Sequence, residues 1–349
     1  MTERVVLIWD CLTDYWSASF GALAERAEVT AVIKPPDPLA PYDYAALRPA
    51  GVTLVEPAWP PSFAELRRVV DDVQPTVVCS LGRYAALLRT LHHARDARRV
   101  MWTDVFWKGT WRQQVFRVLS PAFRRYCFDA AWVPGELFAD FPRQLGFSDH
   151  RIGYGSVPVN TNRLAGARGG SDARWEKPSF AYVGRLHHDK GLSILAGAYR
   201  RYRTEVEDPW PLRIAGTGPD PGGLDGIDGV EMLGFVQPDE VVGIYRDAAA
   251  FVLPSIFDYW GTVSMEACAA GLPVIVSEGC RGWLEQATDA NGFHVPPGDA
   301  AALATAMRVV HEASVEQRRA WGAASAAISD RYTPAAWADA LLALAAAAG

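Results

Sequence analysis

Phe180-Ala181-Tyr182-Val183-Gly184-Arg185-Leu186-His187-His188-Asp189-Lys190-Gly191 is an apolar tetrad that runs into a glycine, two cations and a second glycine. Four consecutive apolar residues are the length of a buried strand, and Leu192, Leu195 and Tyr199 beyond them recur at helical spacing. A glycine directly after a strand lets the backbone turn closely against a ligand, and the N–H groups that open the next helix attract anions. Arg185 and Lys190 add two positive charges, so the segment predicts a strand, a diphosphate clamp and a helix. The competing reading is a pair of solvated loop cations.

Outward from this segment, short Val- and Ile-rich runs alternate with longer helical stretches. In the first half they are Val5–Trp9, Val29–Ile33, Val52–Val55, Thr76–Cys79, Val100–Thr103 and Ala130–Val133. In the second they are Phe180–Val183, Leu212–Ala215, Val230–Leu233, Phe251–Leu253, Pro273–Val276 and Gly292–Val295. The alternation predicts an α/β protein with two doubly wound, Rossmann-like parallel sheets facing across a cleft. A length of 349 residues accommodates two such domains. The glycine-containing stretch 164–177 is expected to be the linker, between a first domain at 1–163 and a second at 178–333. Residues 334–349 are expected to form a terminal helix that packs back on the first domain.

Ligands of open α/β sheets gather at the C-terminal ends of the strands, so the segment after Phe251–Leu253 is the second place to look. It reads Pro254-Ser255-Ile256-Phe257-Asp258-Tyr259-Trp260-Gly261-Thr262-Val263-Ser264-Met265-Glu266-Ala267. A helix starting near Gly261 puts Asp258 in the preceding loop and Glu266 on the helix. Each carboxylate can accept hydrogen bonds from two neighbouring sugar hydroxyls. Alternatively, Asp258 caps the helix and Glu266 is a solvated helix residue.

The order and spacing of Gly184-Arg185, Lys190-Gly191, Gly216-Thr217-Gly218-Pro219, Leu233-Gly234-Phe235-Val236, Pro254-Ser255, Asp258 to Glu266, Ala269 to Ile275, Glu285, Asn291-Gly292-Phe293 and Pro296-Pro297-Gly298-Asp299 resemble the donor domain of glycosyltransferase family 4. The resemblance covers about a third of the chain. It implies the GT-B fold and a retaining, metal-independent transfer of a sugar from a UDP or GDP type donor to an acceptor hydroxyl, in bacterial surface polysaccharide or glycoconjugate synthesis. Carried onto this chain, it implies that Arg185 and Lys190 stabilise the leaving diphosphate, that Glu266 holds the ribose and that Asp258 faces the donor sugar. It also implies that Gly184, Gly216, Trp260, Gly261 and Thr262 line the donor and that Val236 approaches the base. The family has Glu at the position of Asp258 and Phe at that of Trp260, and both departures fall at the sugar.

Residues 1–163 resemble the family less. Many members carry a His just after the strand that matches Val100–Thr103; here the residue is Asp104, a candidate to accept or orient the acceptor hydroxyl's proton. Its alternative role is to cap the helix that contains Trp111. From Trp102 to Arg125 aromatic and basic residues crowd together, including Phe106, Trp107, Lys108, Trp111, Arg112, Phe116, Arg117, Phe123, Arg124 and Arg125. Trp111, Val115, Leu119 and Phe123 at helical spacing predict a core face with a solvated basic face. The sharper alternative is an acceptor wall or a contact with an anionic membrane surface.

Composition narrows the remaining classes. Residues 1–163 hold 19 Lys/Arg against 17 Asp/Glu, the rest of the chain is acidic and the net charge is −6, which argues against a nucleic-acid partner. Five cysteines without C-x-x-C or His-paired spacing read as small buried residues rather than a disulfide framework or a zinc site. No Asp-x-Asp occurs, so neither a metal nor a cofactor is expected beyond the nucleotide-sugar substrate. The apolar run Val5–Trp9 is too short for a secretion signal, which predicts a cytoplasmic protein, with attachment at the inner face of the membrane open. Acceptors consistent with this are a glycan, a lipid-linked sugar or a small molecule. Gly216-x-Gly218 suggests a dinucleotide fold, but Pro221 stands where a third glycine is required. The alternatives that stay open are a GT-B nucleotide-sugar epimerase and a non-catalytic sugar-nucleotide sensor or scaffold.

Overall fold

The computed structural model describes residues 2–35, 44–81 and 85–347, without the side chains of 85, 119–125 and 173. The chain forms two compact units, one from its start to Pro158 together with the segment from Tyr332 onward, the other Val159–Arg331.

The first unit contains β1 (Arg4–Trp9), α1 (Asp14–Ala24), β2 (Glu28–Ile33), β3 (Val52–Val55), α2 (Phe63–Val73), β4 (Val77–Leu81), α3 (Ala85–His93) and β5 (Arg98–Trp102). It continues with α4 (Trp111–Cys127), β6 (Ala130–Trp132), α5 (Glu136–Gln144) and β7 (Ile152–Gly153). The second unit opens with α6 (Thr161–Leu164) and α7 (Asp172–Glu176), then β8 (Phe180–Val183), α8 (Leu192–Glu205), β9 (Leu212–Ala215), β10 (Val230–Gly234) and α9 (Pro238–Asp247). It closes with β11 (Ala250–Leu253), α10 (Thr262–Ala269), β12 (Val274–Ser277), α11 (Trp283–Gln286), β13 (Gly292–Val295), α12 (Ala300–Glu312) and α13 (Val315–Ser329). The last helix, α14 (Pro334–Ala347), belongs to the first unit.

Both sheets are wholly parallel, with orders β3-β2-β1-β4-β5-β6-β7 and β10-β9-β8-β11-β12-β13. Each reverses direction at its first strand, β1 or β8, which makes both doubly wound. Their central strands are covered on both faces, so apolar residues run through them without alternation; Val5 to Trp9 are each at most 1% exposed. Every predicted strand is present, within two residues of its expected ends. The exception is β7, two residues long and missed because so short a run carries no periodic signal.

In the first unit the core is a cluster of indoles. Trp9 meets Trp16 edge-on at 4.9 Å, and Trp132 meets Trp337 of α14 at the same distance. Trp102 and Trp337 both donate their Nε1–H groups to the Ser156 carbonyl at 3.0 Å. A buried indole needs such an acceptor, and these two bonds tie β5 and α14 to the last stretch of chain before the second unit.

The expected linker at 164–177 is corrected by the structure. It is built from α6, a 3-10 turn at Ala165–Ala167 and α7, and it belongs to the second unit. The reason is Arg174, which is only 1% exposed and faces carbonyls rather than a carboxylate. It donates to Tyr245 and Arg246 at the end of α9, to Ala270 and Gly271 at the end of α10, and to Ala167. Helix C-termini carry partial negative charge, so one guanidinium satisfies three of them. Burial lowers its pKa to about 10, which leaves it charged at neutral pH. Arg168 completes the attachment by donating to the Ala269 carbonyl at 2.9 Å and pairing with Asp330 at 2.6 Å. The glycines of this stretch misled the reading because they turn the chain between short helices rather than loosen it.

Among the described residues no helix is long and apolar enough to cross a membrane. Four cysteines are buried as expected, whereas Cys11, in the turn after β1, is exposed.

Candidate functional site

Three loops at the C-terminal ends of β8, β9 and β11 pack together in the second unit. Gly184 closes β8 by donating to Ala215 at 2.9 Å, and Gly216 closes β9 by donating to Gly234 at 2.7 Å. A Cβ on Gly216 would lie 1.8 Å from the Gly184 carbonyl oxygen, so no larger residue fits where these turns cross. The Tyr182 hydroxyl donates to the Arg185 carbonyl at 2.9 Å and pins the next turn. The Asp189 carbonyl accepts from Ile256 and Phe257 at 2.8 and 3.0 Å, which stitches the β8 loop to the β11 loop.

The two candidate phosphate cations differ in state. Arg185 has a side chain 72% exposed, with Asp189 at 3.9 Å. Lys190 is 12% exposed and donates to Asp258 Oδ2 at 2.6 Å. The solvated-cation alternative therefore describes Arg185 in the ligand-free chain and is corrected for Lys190, which sits in a largely buried ion pair because its loop is drawn onto the β11 loop.

Asp258 spends its second oxygen on the Gly261 N–H at 3.2 Å. Gly261 is the N-cap of α10 and has φ +74°, a left-handed conformation that glycine adopts without strain. Gly261 thus holds the cap position offered as Asp258's alternative role, and Asp258 braces the turn in front of it. Trp260 is buried, and its carbonyl accepts from Gln286 Nε2 at 2.7 Å. Ser264 Oγ donates to Gln286 Oε1. Gln286 is fully buried on α11 and fixes the loop and the first turn of α10 together. Thr262, the first residue of α10, is half-buried, as is Val236, which lies beyond β10 next to the exposed Phe235.

Glu266 is not a solvated helix residue: its side chain is 15% exposed, with Arg163 of α6 at 3.9 Å. The Tyr245 hydroxyl donates to Glu266 Oε2 at 3.0 Å. Burial, then the Glu266 carboxylate, raise the Tyr245 pKa far above the usual tyrosine value, so the phenol stays a donor. Gln286, Tyr245, Arg163 and Arg174 escaped the sequence reading because each acts across more than twenty residues of chain or on backbone groups.

In the first unit Asp104 follows β5 and is half-buried. Its alternative role as a helix cap is corrected, because α4 begins seven residues further on and Thr110 serves its first turn. Gln113 N donates to Thr110 Oγ1 at 3.4 Å, and Gln113 Oε1 accepts from Lys108 N at 2.8 Å. The first half of the predicted core face of α4 is also corrected: Trp111 and Val115 are 72% and 53% exposed, as is the neighbouring Val118 at 74%. Helical spacing shows that residues share a face but not that the face is covered. The side chains of Leu119, Phe123, Arg124 and Arg125 lie outside the described residues. A cavity of about 760 Å³ in this unit opens near Arg4, Thr76, His93 and Arg98, at the N-terminal ends of the strands. It is at the far end of the sheet from Asp104, and ligands of such sheets gather at the C-terminal ends.

Residues 168–327 match the model of the family described as glycosyl transferases group 1. This segment is a glycosyl transferases group 1 domain. Among curated relatives, a glycogen synthase of Mycobacterium tuberculosis is 32% identical over 193 residues, 51% of this chain and 45% of that protein. A putative colanic acid biosynthesis glycosyltransferase of Escherichia coli, WcaL, is 35% identical over 137 residues, 35% of this chain and 33% of that one. The chain thus spans less than half the length of these two relatives. Of solved structures, Anabaena Alr3699/HepE in complex with UDP superposes with TM-score 0.72 at 15% identity, covering 96% of this chain and 97% of that one. The lipopolysaccharide outer core galactosyltransferase WaaB superposes with TM-score 0.71 at 14% identity, covering 97% and 98%. These likenesses establish the fold as GT-B. The group 1 domain coincides with most of the second unit and contains every candidate donor residue from Gly184 to Glu266.

Proposed function

We propose that the chain is a retaining, metal-independent glycosyltransferase of family 4 type that moves a sugar from a UDP or GDP type donor to an acceptor hydroxyl in polysaccharide or glycoconjugate synthesis. The observation that carries this reading is the convergence, within the group 1 domain, of two cations on stitched loops, the N-terminus of α10, which has no side-chain cap, and the largely buried Glu266 on that helix. Such a constellation suits a nucleoside diphosphate. Glu266 accepts from the ribose, Val236 lies by the base, and the N–H groups of Thr262 and its neighbours meet the phosphates together with Arg185 and Lys190. As the glycosidic bond to the diphosphate breaks, charge grows on the leaving oxygen. Cations and dipoles already in place there lower the barrier without reorganisation.

Lys190 then exchanges partners during the cycle, from Asp258 to the departing phosphate. Gly184, Gly216, Trp260 and Gly261 shape the turns around the donor, and Asp258 braces the one nearest the sugar. Asp104 accepts or orients the acceptor hydroxyl's proton in the first domain. Metal independence is supported by the sequence, which has no Asp-x-Asp.

The acceptor side is read from α4. An exposed stripe of Trp111, Val115 and Val118, flanked by the exposed Lys108, Arg112 and Arg117, suits a peripheral contact with an anionic membrane at the cytoplasmic face and hence a lipid-linked acceptor. The test is a mass-spectrometric screen of UDP- and GDP-sugars with lipid-linked and soluble acceptors, with chelator present. Transfer with retained anomeric configuration is expected. Binding of nucleotide sugar without turnover would replace the reading with that of a sensor, and conversion of the donor sugar alone with that of an epimerase.

A further inference from the structure

Glu266 lies on the second turn of α10, and what surrounds its carboxylate comes from elsewhere in the second unit. Tyr245, in the last turn of α9, is fully buried. Its ring meets Phe251 edge-on at 5.9 Å, and its main-chain carbonyl is held by Arg174 at 2.7 Å. The side chain is therefore fixed at both ends before any ligand arrives. Its hydroxyl lies 3.0 Å from Glu266 Oε2 and 3.1 Å from the Val263 carbonyl. A phenol has one proton, and the carboxylate is the stronger acceptor. Arg163 approaches the other oxygen, Oε1, at 3.9 Å from α6, just inside the point where the chain enters this unit.

We propose that Tyr245 and Arg163 are positioning residues for nucleotide binding: they hold the Glu266 carboxylate in one orientation, in which it accepts from the ribose hydroxyls of a nucleoside diphosphate. The proposal rests on the nucleotide-binding reading above and adds two residues to it. The physical gain is preorganisation: a carboxylate already oriented loses little entropy when the nucleotide binds.

The test is calorimetric titration of Tyr245→Phe, Arg163→Gln and Glu266→Gln with whichever of UDP, GDP and ADP the unaltered protein binds most tightly, and with the analogue of that nucleotide lacking both ribose hydroxyls. Tyr245→Phe is expected to weaken the ribonucleotide about tenfold, the scale of one hydrogen bond to a charged group, and to leave the analogue unchanged. Arg163→Gln moves in the same direction, and Glu266→Gln abolishes the preference for the ribonucleotide. A merely structural role for Tyr245 would weaken both ligands equally, and that outcome overturns the proposal. So does a full ribose preference in both Tyr245→Phe and Arg163→Gln while Glu266→Gln loses it, which leaves the nucleotide reading standing. A full preference in Glu266→Gln overturns both.

Discussion

The two sheets share the strand order 3-2-1-4-5-6, yet different chemistry holds each together. In the first unit, indoles from β1, α1, β5, β6 and α14 fill the core, and two of them, Trp102 and Trp337, share one main-chain acceptor, Ser156. In the second, loops beyond the strands are joined by ion pairs and buried amides, with Lys190 on Asp258, Gln286 on Trp260, and Asn291 Nδ2 donating to the Gln286 carbonyl at 2.9 Å. Apolar packing tolerates many residue types of similar volume, whereas a polar network works only when every partner is present. One topology can thus carry a core of interchangeable parts and a site of specific ones, and the two should fail differently.

The largest expected effect tests the aromatic half. Trp337→Ala removes the indole that ties α14 to the first unit and should cost about 3–5 kcal/mol. Urea unfolding followed by tryptophan fluorescence should show an early transition for that unit, while nucleotide still stabilises the other. Simultaneous loss of both units would show that the two cores are not independent.

Next come the loops. Arg185→Ala should lower turnover by roughly 10² to 10³ with little change in melting temperature, because its side chain is exposed and breaks no buried pair. Lys190→Ala should lower turnover as much but also destabilise the second unit, because it leaves Asp258 without its partner in a largely buried site. Equal melting of the two variants would remove the distinction drawn between these cations.

A smaller effect belongs to α4. Trp111→Ala or Arg112→Gln should each reduce co-sedimentation with anionic vesicles about fivefold, close to 1 kcal/mol per residue. Arg112→Gln should leave binding to neutral vesicles unchanged, and both should leave nucleotide affinity unchanged. Undiminished sedimentation would return the helix to the role of a bare solvated surface.

The smallest is a pH effect in the second unit. Burial, and secondarily Arg318, lower the pKa of His311, whose Nδ1 faces the Tyr202 hydroxyl at 2.7 Å. Its folded pKa is below the unfolded value near 6.5, so the unfolded chain takes up the proton first. Stability is therefore present above pH 6.5 and declines as pH falls below it. The slope should be shallower than the single-proton limit of about 1.4 kcal/mol per pH unit, because the ring is partly solvated. His311→Gln should flatten it in thermal melts; an unchanged slope would assign the decline to other groups.

The strands were legible in the sequence, and so were the tight turns beyond them, because a fully buried parallel strand is a run of apolar residues and a backbone that turns against another segment needs glycine at fixed points. Gly184, Gly216 and Gly261 stand where the chain turns, and local rules suffice to find them. What only the tertiary structure decided is the environment of each charged group. Arg185 is largely solvent-exposed beside Asp189, and Lys190, five residues on, is buried in a pair, because the partner of Lys190 is Asp258, sixty-eight residues away. The stretch 164–177 is a seam rather than a linker because carbonyls at the ends of α9 and α10 converge on Arg174. The helical stripe of Trp111, Val115 and Val118 faces solvent because none of the described residues folds over it. Spacing along a chain reports which side chains share a face. Burial and pairing depend on distant segments, whose approach is set by the packing of the whole unit.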